Sequence, residues 1–198
     1  MSAPTPSWQS WPAPVRTIGA AVARAVDAAG GPDAEAYQEA AAAMVHLPAG
    51  PTGLVLATVT RTLIEELHPD GLDADDVQLV LARCYRSAHG FLGDAVDVRV
   101  LIAVLAAALG IHEAGLTYQA ELIDQQVDPI ATATDDWPPQ SRADDGEATT
   151  GRPPTPAEFA WHAPLVIADL LAGTGRRIGP YLDVAFADLA TGAAMEMP

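Results

Sequence analysis

The feature that most constrains this chain is an apolar run at residues 100–111, twelve positions without a charge. Taken back to Val96, the segment reads as a helix that is apolar nearly all round. Such a helix has no face to offer water and must be covered on most sides. It is too short to cross a bilayer, which takes about 20 apolar residues. The run is therefore expected to form the central helix, 96–111, of a bundle.

The flanking segments supply covering helices. Val15, Ile18, Val22 and Val26 recur at helical spacing between Pro14 and Ala29. Gly30-Gly31 should stop that helix, with Pro32 in the first turn of the next, and Gly50-Pro51 should break the chain again. A third helix carries Leu56, Val59, Leu63 and Leu67 on one face, and ends at the turn His68-Pro69-Asp70-Gly71. The fourth has Asp73 at its N-cap, Asp76 three residues on, and a stripe of Val77, Val80, Leu81, Cys84, Ala88 and Phe91. Gly93 should end it and Asp94 should cap the central helix, with a kink expected near His112. A sixth segment runs through Leu116, Ala120, Ile123 and Val127.

Residues 131–154 have almost no aliphatic side chains and are rich in Asp and Pro, so they read as a linker or long loop. Helix resumes at Thr155-Pro156-Ala157-Glu158, a capping box with proline at the first helical position. Pro164 should kink or restart it, and a last helix should span 178–189 after Gly173-Thr174-Gly175. No segment alternates with the period of a strand. The expected fold is all-α, a single-domain bundle of about seven or eight helices. Residues 1–13 form an irregular Pro/Trp tail, 14–130 the helical core, and 155–191 a C-terminal pair that docks on 96–111 and completes the same core.

Charge narrows the functional classes. The 26 carboxylates outnumber 10 basic residues, all arginine, for a net charge of −16. Such a surface does not bind nucleic acid through phosphate contacts. Lys and Asn, whose codons are A-rich, are both missing, which points to a GC-rich coding sequence rather than to chemistry. A lone Cys84 gives no disulfide framework, and the first residues lack a basic and apolar leader. A cytoplasmic location is expected, with no membrane partner.

Site chemistry is sparsely signposted. Glu65 and His68 form one Glu-x-x-His pair, where carboxylate-bridged metal bundles need two with further glutamates. His112-Glu113 lacks the second histidine of a zincin, and Glu158 with His162 is equally an ordinary i, i+4 pair. No metal, cofactor or catalytic residue is therefore expected. Cys84 sits on an apolar stripe, which suits a buried thiol better than a nucleophile. Gly173-Thr174-Gly175-Arg176-Arg177 has neither the lysine nor the strand of a phosphate loop.

The densest charge is at Glu65, Glu66, Asp70, Asp73, Asp75 and Asp76, six carboxylates in twelve residues. It reads as a solvated rim or as a docking face for a basic partner. Trp8 and Trp11 are candidate docking residues, or fold back onto the core. The expected function is a non-enzymatic helical interaction or regulatory protein that binds a protein partner with a basic surface, or itself. The alternative is a small-molecule-binding domain or enzyme whose pocket gathers His89, His112, Glu113 and His162.

Overall fold

The computed structural model describes residues 7–110 and 152–195. Among these there are seven α-helices and no strand, so the fold is all-α. The helices are α1 (Ala13–Ala29), α2 (Ala34–Val45), α3 (Ala49–Leu67), α4 (Ala74–Leu92), α5 (Val98–Ala108), α6 (Pro156–Thr174) and α7 (Gly179–Met195). The kink expected near His112, the segment through Leu116 and Val127, and most of the 131–154 linker lie outside the described residues.

Two helices fill the centre. In α5, Val100, Leu101, Val104, Leu105 and Ala108 are buried, as an all-round apolar helix requires. The second is α6, which touches each of α1 to α5. Its buried set, from Ala160 through Leu171, includes His162 and Pro164. The C-terminal pair thus divides its work: α6 packs on α5, whereas α7 packs chiefly on α3. One apolar cluster joins residues from all seven helices, with Tyr37, Met44, Leu56, Leu63, Leu101, Ile167, Leu170 and Leu182 fully buried. Truncating such a leucine to alanine costs about 2–5 kcal/mol.

Several boundaries differ from the sequence expectation, each for a local reason. Asp33, not Pro32, opens α2, its carboxylate accepting from the Ala36 amide at 3.0 Å. Gly50-Pro51 does not break the chain but sits in the first turn of α3, where a missing N–H costs nothing. Asp97 rather than Asp94 caps α5, because a 3-10 turn (Gly93–Ala95) intervenes after Gly93, at φ 58°. Pro164 neither kinks α6 into two helices nor restarts it. Its ring is buried, so packing on every side carries the helix past the hydrogen bond that proline cannot donate.

The largest difference is at the start. Residues Ser7–Ser10 form a 3-10 turn instead of an irregular tail. The Trp8 side chain is buried, and its amide donates to the Asp183 carboxylate of α7 at 2.6 Å. The ring lies so close to α1 that a Cβ at Gly19 would stand 2.6 Å from it. Trp11, half-buried, packs on Phe186 with ring centroids 6.2 Å apart. Of the two readings of these tryptophans, the structure takes the one in which they fold back onto the core.

Candidate interaction surface

The six carboxylates of 65–76 lie where α3 ends, the chain turns, and α4 begins. The turn closes through the Gly71 amide, which donates to His68 O at 3.0 Å, with Gly71 at φ 97°. Three of the six are committed to the fold. Asp73 and Asp76 form a capping box, each side chain accepting from the other's amide, at 2.8 Å and 3.3 Å. Asp76 also faces His68 at 3.6 Å, so His68 is paired across the turn rather than with Glu65. Glu66 accepts from the Tyr181 hydroxyl at 2.8 Å and from Arg176 at 3.0 Å, tying the end of α3 to the start of α7.

Glu65, Asp70 and Asp75 remain. All three are exposed, and none has a hydrogen bond or ion pair among the described residues. Glu65 is the most telling, since a carboxylate in the last turn of a helix opposes the helix dipole. Four residues after Asp75 stands Leu79, the most exposed large apolar side chain among the described residues, at 60%. The i, i+4 spacing puts both on one face of α4.

The histidines proposed as pocket residues do other work. His89 Nδ1 bonds the Gly93 carbonyl at 3.0 Å, and its ring stacks on Tyr85. His162 is buried, with Nδ1 2.8 Å from the Glu158 carbonyl and Nε2 accepting from the Asp97 amide at 3.0 Å. Burial pushes its pKa down, against the pull of the Glu158 carbonyl and the Asp97 and Glu158 charges. The Glu158 carboxylate is turned away to Thr155 and Arg152, so Glu158 and His162 do not present a joint ligand pair. His112 and Glu113 lie outside the described residues. No three His, Cys, Asp or Glu side chains among the described residues are grouped to hold a metal ion.

Clefts indent the surface of the described residues. One, of about 440 Å³, runs past Gly30, Gly31, Ser87 and Cys84 to Asp169. Asp169 is held there by Arg83, whose Nε and Nη2 lie 2.9 Å from one carboxylate oxygen. Burial, helped by the Asp169 charge, pushes the Cys84 thiol up to about 12, so it stays protonated and is a poor nucleophile. Another, of about 500 Å³, is an apolar groove between the α2–α3 junction and the start of α6. It is bordered by Val45 and Leu54, exposed at 41% and 56%. Neither His89 nor His162 lines either cleft.

The residues that sequence reasoning missed are the long-range partners: Tyr181 and Arg176 on Glu66, Asp183 on Trp8, and Asp97 on His162. No local pattern announces a hydrogen bond between residues so far apart in the chain. No described helix is long and apolar enough to cross a membrane. Searches against family models, curated proteins and solved structures returned no match to this chain.

Proposed function

We propose that this chain is a helical interaction protein, without catalytic chemistry of its own, that docks a protein partner with a basic surface on the α3–α4 corner. The observation that carries the reading is the set Glu65, Asp70 and Asp75. These carboxylates are exposed and make no hydrogen bond or ion pair among the described residues, and an exposed Leu79 stands on the same face of α4 as Asp75. A net charge of −16 makes a second copy a poor occupant and a cationic surface a good one. Attraction between exposed charges acts mainly on the encounter rate, and salt screens it over about 8 Å at physiological ionic strength.

The test compares three proteins: wild type, the triple variant Glu65→Gln, Asp70→Asn, Asp75→Asn, and a control triple of Asp27→Asn, Glu35→Gln, Asp188→Asn. The control removes as much charge from exposed sites elsewhere on the bundle. Partners retained by wild type and control, but lost by the α3–α4 triple, are then purified for association kinetics. The expected result is a rate lowered about threefold to tenfold by the triple variant at low salt, with the difference vanishing at high salt. Capture that is equal for all three proteins sinks the proposal. Glu66 is left unchanged in this design because its substitution would disturb the tie to α7.

A further inference from the structure

The short connection between α4 and α5 is held by two imidazoles, one from each side. His89 reaches it from α4 and binds the Gly93 carbonyl; His162 reaches it from α6 and receives the Asp97 amide. The two hydrogen bonds differ in what a proton would do to them. At His89 the ring nitrogen faces a carbonyl, which accepts, so the nitrogen donates in the neutral and the charged ring alike. At His162 both nitrogens are specified. Nδ1 faces the Glu158 carbonyl and must carry the proton, while Nε2 faces an N–H and must be bare. Only the neutral ring in one tautomer satisfies both.

We propose that His162 is a proton-operated clamp: neutral, it holds the first turn of α5 against α6, and protonated, it lets that turn go. A proton on Nε2 sets N–H against N–H across 3.0 Å in a buried site. The hydrogen bond that this breaks is a structural one, because Asp97 is the N-cap of α5 and its carbonyl receives the Val100 and Leu101 amides. The charges acting on the ring are Asp97 from α5 and Glu158 from its own helix. Both favour protonation, yet each is already paired, Asp97 with Arg99 and Glu158 with Arg152. From α4 comes His89, engaged with Gly93. From α2 comes Tyr37, whose hydroxyl donates to the Trp161 carbonyl and whose burial keeps it uncharged.

The pH window follows from the direction of the shift. Burial lowers the folded-state pKa below the ordinary value of 6.5, so the unfolded chain takes up the proton first. The clamp's contribution is complete above 6.5 and is lost as pH falls through the folded-state value. Asp97 is separable. Its burial is outweighed by its bonds to Arg99, which hold its carboxyl below 3.8, so it stays ionised down to about pH 5.

The experiment is amide exchange of the full chain between about pH 7.5 and about pH 5, corrected for intrinsic rates, read at Asp97, Val100 and Leu101. Wild type is expected to lose protection at these amides by about tenfold or more, with little change in α1 and α2. His162→Gln sets a non-titrating oxygen near the position of Nε2, and its protection is expected to be flat across the same range. Equal loss in both proteins, or none in wild type, overturns the proposal. Should His162→Gln fail to fold, imidazole nitrogen NMR of wild type decides instead. The expected signature near pH 7.5 is a proton on Nδ1 alone, with the ring titrating together with the Asp97 amide shift. A proton on Nε2 at neutral pH, or a ring that titrates with no response at Asp97, overturns it equally.

Discussion

Glu65 and Glu66 close α3, whereas Asp73, Asp75 and Asp76 open α4, so like charges sit at opposite ends of two helix dipoles. At the start of α4 the amides are unsatisfied and the partial charge is positive, and acids there stabilise the helix. At the end of α3 the partial charge is negative, and acids there are opposed by about 0.3–1 kcal/mol each. Glu66 is compensated by Tyr181 and Arg176, while Glu65 has no such partner among the described residues. A single patch of charge thus contains acids that the fold uses and one, Glu65, whose cost it does not recover.

Substituting the acids that the fold uses should have the largest effect. Asp73→Ala removes the acceptor of the Asp76 amide, and we expect a loss of about 1–2 kcal/mol in urea unfolding. A change below a few tenths would mean that the cap is not what starts α4. Next comes Glu66→Gln, which keeps an acceptor for Tyr181 but gives up the ion pair with Arg176. With the Arg176 side chain 63% exposed, screening limits that pair, and a loss of about 0.5 kcal/mol is expected. A double-mutant cycle of Glu66→Ala with Tyr181→Phe would isolate the hydroxyl bond, with a coupling of about 0.5–1.5 kcal/mol. The smallest effect, and of opposite sign, belongs to Glu65→Gln: an increase of a few tenths of a kcal/mol at low salt, fading as salt is added. Destabilisation on that substitution would place Glu65 among the acids that the fold uses after all.

The sequence displays these features unequally. Asp73 with Asp76, and Thr155 with Glu158, are legible as caps because both partners lie within one turn. The turn after His68 is legible because Pro69 and Gly71 have local conformational meaning. Asp94 and Asp97 cannot be told apart in the sequence, since the 3-10 turn that selects Asp97 has no signature of its own. Pro164 misleads because burial from several helices overrides a local preference. Glu66, Trp8 and His162 are opaque for one shared reason: their partners stand 115, 175 and 65 residues away along the chain. A stripe of apolar residues tells a helix which side to bury, but not what will lie against it.

The position of α6 has a consequence for how the chain comes together during synthesis. Helices α1 to α5 are all made before α6, which touches every one of them. Until that helix leaves the ribosome, the faces of α3 and α5 that pack on it lack that covering. At roughly 5–20 residues per second, the stretch from the end of α5 to the end of α6 takes several seconds to add. Most helical bundles close on near neighbours and fold early. Here the first half of the chain waits, its apolar faces open to chaperones and to other nascent chains, for a core whose keystone arrives late.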